Sequence, residues 1–219
     1  MKSVNNSPRG HWAILGGTFD PVHIGHLRIA LQLRDAGFER VLLIPNRLPP
    51  HRPQPQASAE QRFTMLTLAC DSLDGIQPCA IELERSDYSY SAVTVSQLKQ
   101  QHPNVTFTWV IGHDAWQGFE HWHQPFTLLE QANLLIINRP SSHPESATQS
   151  PWQQQQWQQR GGQLSELWQY KQGKIASVRW PELDISASDL RQALKRGDNV
   201  TFLTPDAVLE YISLQSLYR

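Results

Sequence analysis

An α/β fold built on a doubly wound parallel sheet is predicted by three features of this 219-residue sequence. Short runs of β-favouring apolar residues recur along the chain. Helix-length amphipathic stretches separate them, and the first apolar run ends in two glycines. Parallel strands need crossovers of helix length, so this alternation points to a central parallel sheet with helices on both faces. The length predicts one domain over residues 1–219.

The elements follow in order. His11–Leu15, Val41–Ile44, Val105–Ile111 and Leu134–Asn138 read as short buried strands. Between the first two, Leu27, Ala30, Leu31 and Leu33 fall on one helical face, and Gly37 supplies a stop. Ser58–Leu73 reads as a second helix because Ser58 and Gln61 have the spacing of a capping box. Ser91–Gln101 and Pro125–Gln131 are further helices. Pro45–Ser58 (PNRLPPHRPQPQAS) holds too many prolines for a helix or a central strand and is expected to be a stiff loop. Residues 141–173 are polar and glutamine-rich, as a flexible insertion or a surface helix would be; composition does not decide between them. A C-terminal helical part spans 184–219. Ser186 and Asp189 cap its first helix and Gly197 ends it. Ala207, Val208, Tyr211 and Ile212 give the second a packing face, which reads as structural. The whole is a Rossmann-like architecture with a C-terminal helical segment.

Composition removes several classes of function. Apolar residues make up 39% and charged residues 18%, and the net charge is −1, so neither a nucleic-acid-binding face nor a polybasic membrane patch is indicated. Cys70 and Cys79 are too few for a disulfide framework and lack zinc spacing, which suits reduced thiols in the cytoplasm. The opening MKSVNNSPRG has no apolar signal core, and no run approaches the roughly 20 apolar residues of a membrane span. A soluble cytoplasmic protein is expected.

The densest chemistry lies in GGTFDPVHIGH, Gly16–His26. Gly16 and Gly17 leave the first strand at its carboxyl end, where open α/β sheets bind ligands. Glycines there admit an anion to backbone N–H groups, and a helix beginning near Gly25 aims its positive end at the same place. Asp20 and Pro21 form a turn signal. His23 and His26 stand at the helix entrance, where an imidazole can donate a hydrogen bond to phosphate. Two histidines around a glycine also fit metal ligation, but no third ligand follows at a convincing spacing, so no protein metal site is expected. The stretch lacks the Lys-Ser/Thr of a Walker loop and the GxGxxG of a dinucleotide fold.

GGTFDPVHIGH resembles the signature of the nucleotidyltransferase superfamily with a T/HxGH motif, and its HIGH is also the motif of class I aminoacyl-tRNA synthetases, which are much longer. The superfamily's partner motif, ISxxxR, is matched by ISASDLR, Ile185–Arg191. The resemblance implies in-line attack of a substrate phosphate on the α-phosphorus of ATP, with pyrophosphate leaving and no enzyme nucleophile. It implies catalytic roles for His23, His26 and Arg191. ATP binding would fall to Gly16, Gly17, Thr18, Phe19, Gly25, Asp114 and Ser186, with Asp20 organising the turn. Mg²⁺ would accompany ATP, held largely by the triphosphate.

The middle of the chain narrows the resemblance. PNRLPPHRPQPQAS, SYSAVT (Ser89–Thr94), IGHDAW (Ile111–Trp116) and FEHWHQ (Phe119–Gln124) are together similar to the bacterial nicotinate-nucleotide adenylyltransferase family. That likeness implies the substrates ATP and nicotinate mononucleotide and the product nicotinate adenine dinucleotide, in NAD synthesis. Trp116, Phe119 and Trp122 offer aromatic faces for a pyridine ring, and the family's ring position falls on Trp122. Backbone amides near Tyr90–Ser91 and near His123 would receive the nicotinate carboxylate, and His51 and Arg52 the mononucleotide phosphate. The sequence departs from the family at Ala187 and Ser188 (often Ser and Thr), at Ser91 (often Thr) and at His123 (often Tyr). Alternatives are another member, such as pantetheine-phosphate adenylyltransferase, and a nucleotide sensor that does not turn over.

Overall fold

The computed structural model describes residues 10–48, 54–138, 149–181 and 183–219. Among these, seven strands form one sheet in the order β3-β2-β1-β4-β5-β7-β6, and every pairing described is parallel. The strands are β1 (His11–Gly17), β2 (Arg40–Pro45), β3 (Ile76–Pro78), β4 (Thr106–Gly112), β5 (Asn133–Asn138), β6 (Gly161–Gly162) and β7 (Ile175–Arg179). Chain order reverses after β1, whose register with β4 sets Ile14 opposite Trp109. This is the reversal that defines a doubly wound sheet. β1, β2, β4 and β5 fall on the four runs expected from apolar clustering. β3, β6 and β7 did not stand out: two or three residues make too short a pattern, and Ser177 and Arg179 interrupt the apolar run of β7.

The helices around the sheet are α1 (Ile24–Ala36), α2 (Ala59–Cys70), α3 (Ser91–Gln101), α4 (His113–Gln117), α5 (Pro125–Leu129), α6 (Pro151–Arg160), α7 (Ala187–Arg196) and α8 (Asp206–Leu214). Their ends follow local chemistry. Ser58 caps α2 in a full capping box with Gln61, and Ser150 does the same for α6 with Gln153. Gly37 at φ 114° and Gly197 at φ 77° stop α1 and α7 in a conformation that side chains resist. On α1, Leu27, Ala30 and Leu33 are buried. The glutamine-rich stretch contains a regular helix, α6, with Gln153 and Gln156 turned inward. On α8, Val208 and Ile212 are buried, whereas Ala207 is exposed and does not join the packing face.

The chain divides into two compact units. One comprises the described residues of Met1–Leu15, Asp35–Arg40 and Tyr90–Pro181; the other comprises those of Gly16–Arg34, Val41–Ser89 and Glu182–Arg219. The second holds the glycine–histidine stretch and α7. The first holds the aromatic segments.

Candidate active site

In the second unit the site begins where β1 ends. Gly16 is exposed and Gly17 half-buried, and Phe19 follows in a left-handed conformation at φ 50°. That turn folds the Phe19 ring over Gly17, where a Cβ would meet it at 3.1 Å. The second glycine is therefore set by the ring above it. The same logic holds at Gly25: a Cβ there would stand 3.0 Å from the His23 ring. A glycine between the two histidines lets them approach each other.

They approach closely. The His23 and His26 rings stack at 3.7 Å between centroids with 27° between planes, and the Phe19 ring meets His26 edge-on at 4.9 Å. The His23 backbone N–H donates to His26 Nδ1 at 3.3 Å, so in neutral His26 the proton sits on Nε2, leaving that atom as a donor. His23 is buried, and its Nδ1 has no hydrogen-bond partner among the described residues. Burial lowers the His23 pKa to about 4, and burial together with the neighbouring His23 holds His26 well below the ordinary value of 6.5. Both rings are neutral at pH 7 in the free protein.

The turn leading to the histidines carries a polar network centred on buried Asp20. The Asp20 carboxylate accepts hydrogen bonds from the Gln56 amide at 2.8 Å, the Ala57 amide at 3.1 Å and the Tyr218 hydroxyl at 2.7 Å. Arg191 Nη1 donates to the Asp20 carbonyl at 2.6 Å and lies 3.7 Å from its carboxylate. Arg62, almost wholly buried, donates to the carbonyls of Thr18 at 2.7 Å and Ala57 at 3.3 Å. Asp20 is thereby committed to protein donors, in keeping with an organising role. Ser186 caps α7 by accepting from the Asp189 amide at 3.0 Å, and its own hydroxyl donates to the Asp189 carboxylate at 2.7 Å. Arg191 Nη2 donates to Ser188 Oγ at 3.3 Å, while Arg191 Nε has no partner among the described residues. The α1 start is anchored by the Ile24 amide donating to the Leu203 carbonyl at 2.9 Å and by Thr204 Oγ1 donating to the Val22 carbonyl at 2.7 Å.

In the first unit an aromatic cluster follows β4. Trp116 and Phe119 are buried, 5.6 Å apart, and Trp122 packs on Phe119 at 5.1 Å while remaining half-buried. Of the three aromatic candidates, two are therefore core and Trp122 stays partly accessible. Trp152 of α6 completes the cluster, 6.2 Å from Trp116 and 6.0 Å from Phe119. Gln153 donates to the Trp116 carbonyl at 2.5 Å, and Ser150 Oγ donates to Glu120 at 3.0 Å, so α6 is fastened to this loop. Tyr90 stands at the N-cap of α3, its ring stacked on exposed His123 at 4.2 Å, and Ser91 opens that helix. Asp114 lies exposed in the first turn of α4, its carboxylate folded back over Gly112. His51 and Arg52 lie outside the described residues.

Comparison with known proteins gives this arrangement a lineage. The cytidylyltransferase-like family profile matches residues 14–193. The nicotinate-nucleotide adenylyltransferase of Salmonella typhi is 40% identical over 211 residues, covering 94% of this chain and 98% of that protein. The chain belongs to the nicotinate-nucleotide adenylyltransferases of the cytidylyltransferase-like family. A probable nicotinate-nucleotide adenylyltransferase of Salmonella gallinarum matches with the same identity and coverage. Among solved structures, the Plasmodium falciparum nicotinic acid mononucleotide adenylyltransferase complexed with NaAD superposes with a TM-score of 0.71, at 19% identity, covering 95% of this chain and 97% of that one. At that identity the likeness establishes the fold.

Within this family architecture, sequence reasoning missed Arg62, Tyr218, Trp152 and Gln153. Arg62 and Tyr218 sit in segments that read as ordinary helix and tail. Arg62's only signal was a charge on the helical face of Met65, Leu66 and Ala69, and Tyr218 carried none. Trp152 and Gln153 were hidden in a composition that suggests solvent.

Proposed function

We infer that this chain is an enzyme transferring the adenylyl group of ATP to nicotinate mononucleotide, giving nicotinate adenine dinucleotide and pyrophosphate in NAD biosynthesis. One observation carries the reading. His23 and His26 stack at the start of α1, and Arg191, from a motif far away in sequence, bonds the turn that leads into them. Identity of 40% across nearly the whole chain with adenylyltransferases supports the same conclusion.

The chemistry needs no covalent enzyme intermediate. A phosphate oxygen of the mononucleotide attacks the α-phosphorus of ATP in line. The bond from that phosphorus to the oxygen bridging to the β-phosphate breaks, and pyrophosphate carries the electron pair away. Catalysis then rests on positioning and on donors aimed at the charge developing at the α-phosphoryl group. His26 Nε2–H and His23 fill that role; because both are neutral beforehand, they first act as hydrogen-bond donors, and the arriving triphosphate raises their proton affinity. Gly16, Gly17, Thr18, Phe19 and Gly25 bring backbone to the phosphates. Ser186 and the start of α7 receive the β- and γ-phosphates, with Arg191 adding a fixed charge. Asp114 serves the ATP side from α4.

Magnesium enters as part of the ATP substrate. Among the described residues no group of three or more His, Cys, Asp or Glu is placed to hold a metal. Asp20 already accepts from two amides and a phenol. We propose that triphosphate oxygens and water supply most of the ion's ligands. For the second substrate, Trp122 offers its open face to the pyridine ring. The amides at Tyr90–Ser91 and near His123 receive its carboxylate, and His51 and Arg52 its phosphate. We propose that residues 1–219 serve as one nucleotidyltransferase domain, since the family profile spans parts of both compact units. Cytoplasmic location is consistent with the free thiols of Cys70 and Cys79 and with the lack, among described residues, of a helix long and apolar enough to cross a membrane.

The test is pyrophosphate release with ATP and Mg²⁺, comparing nicotinate mononucleotide, nicotinamide mononucleotide and 4′-phosphopantetheine as acceptors. Turnover with nicotinate mononucleotide at the highest kcat/KM is expected. Turnover with phosphopantetheine alone would discard the pyridine reading, and ATP binding without turnover on any acceptor would favour a sensor.

A further inference from the structure

We propose that Tyr218, in the turn that follows α8, is a positioning residue for adenylyl transfer that keeps Arg191 available to the triphosphate. The inference rests on the function proposed above. Four observations lead to it. Tyr218 is buried and takes a left-handed backbone conformation at φ 59°, so its placement is imposed by surroundings rather than by local preference. The turn that carries it is held by the Leu217 amide donating to the Ile212 carbonyl at 3.0 Å. Its hydroxyl donates to Asp20 Oδ1, which also accepts from the Ala57 amide. The other oxygen, Oδ2, accepts from the Gln56 amide and lies 3.7 Å from Arg191 Nη1.

Asp20 therefore sits between two kinds of partner. The phenol and the amides satisfy it through hydrogen bonds, and Arg191 and the buried Arg62 satisfy it through charge. Burial and the Asp20 contact both push the Tyr218 pKa upward, so the phenol stays protonated and remains a donor. A carboxylate that loses a strong donor in a buried setting draws harder on its cations, and of the two here Arg62 is already held by the Thr18 and Ala57 carbonyls, so Arg191 is the one that moves. Without the Tyr218 hydroxyl, Arg191 is pulled further onto Asp20 and away from any anion arriving at the α7 start. The phenol thus divides the labour: it neutralises part of Asp20's demand so that the guanidinium is shared between the loop and the substrate. It also ties α8's following turn to residues 18–20, the loop that Arg62 grips from the other side through the Thr18 carbonyl.

Tyr218→Phe tests this, because it removes one oxygen and keeps the ring that fills the space. The expected result is MgATP binding weakened about fivefold by calorimetry and kcat lowered about tenfold, with KM for nicotinate mononucleotide within about twofold of the parent. In an Arg191→Ala background the same change should alter MgATP affinity less than about twofold, since the effect runs through the guanidinium. Tyr218→Met, also apolar and without a donor, serves the same comparison if the phenylalanine variant is not recovered folded. Loss of thermal stability with MgATP affinity and kcat unchanged would overturn the proposal and leave Tyr218 a packing residue. An equal loss in the Arg191→Ala background would overturn it as well. Should the parent show no turnover on nicotinate mononucleotide, the substrate reading fails while the MgATP-binding comparison still decides the role of Tyr218.

Discussion

The glycine–histidine group and the aromatic group are held by different mixtures of forces. Around His23, His26 and Asp20, the contacts are directional: a 3.3 Å bond into an imidazole, a carboxylate saturated by amides and a phenol, and an arginine on a carbonyl. Around Trp122, ring-against-ring contacts at 5.1 to 6.2 Å predominate and tolerate small rotations, with α6 fastened to them by the Gln153 bond to the Trp116 carbonyl. In the proposed function the first group places donors to within a fraction of an ångström of a developing charge. The second has to present a flat apolar face and exclude water. Substitutions should therefore fail in kcat in one region and in stability or KM in the other.

The largest expected effect sits in the aromatic group but should be silent in catalysis. Trp116 is fully packed against Phe119 and Trp152, so Trp116→Ala should cost about 3–5 kcal/mol of stability. Urea unfolding measures the loss. If the variant instead kept its stability and lost pyridine binding, Trp116 would belong to the ring site and the division would break. Next, His26→Ala should lower kcat about 10²–10³-fold with a much smaller change in ATP affinity, because its donor matters most in the transition state. Single-turnover kinetics beside equilibrium ATP binding separates the two quantities. A rate within a few-fold of the parent would remove His26 from the machinery.

A pH titration of the free protein sharpens the contrast without touching substrate. His23 is held at about 4 in the folded chain against an ordinary 6.5, by burial. The unfolded chain then binds more protons between those values, so stability is full above pH 6.5 and falls as pH drops toward 4. The His23 contribution is up to about 3 kcal/mol, and His26 acts in the same direction. His23→Gln should flatten the slope of unfolding free energy between pH 6.5 and 4.5. An unchanged slope would mean that His23 is not desolvated.

The same difference explains what the sequence made legible. The glycine–histidine group was readable because its chemistry is written contiguously: Gly16, Gly17, His23, Gly25 and His26 each have a backbone or ring reason to be what they are within a single turn. Ser186 and Arg191 were readable as a capped helix with a charge one turn in. The buried supports were not, since Tyr218 meets Asp20 only through the tertiary fold, and a lone arginine such as Arg62 reads as surface until something buries it. In the aromatic group the residues themselves offered three rings without separating core from face, and only the family resemblance pointed to Trp122. Burial separates them, leaving Trp122 half-open. The strands repeat the lesson: four apolar runs were clear, while β3, β6 and β7 are made by neighbours rather than by pattern.

The smallest effects probe whether the pyridine site is recognised by side chains or by backbone. Trp122→Ala should raise KM for nicotinate mononucleotide about tenfold while leaving KM for ATP within about twofold, because only the open ring face is lost. At His123, by contrast, the ring is exposed and stacked on Tyr90, and the donor assigned to the nicotinate carboxylate is the main chain. His123→Tyr preserves a flat ring for that stack and leaves every amide in place. It should therefore change kcat/KM for nicotinate mononucleotide less than about threefold, and preference over nicotinamide mononucleotide should be retained. The measurement is the ratio of kcat/KM for the two acceptors in parent and variant. A ratio collapsing tenfold or more would assign acid recognition to the imidazole itself, because a charged or donating ring would then be doing what the amides are expected to do. A ratio that holds, with Trp122→Ala still selective for the mononucleotide, leaves the ring to Trp122 and the carboxylate to the helix start at Ser91.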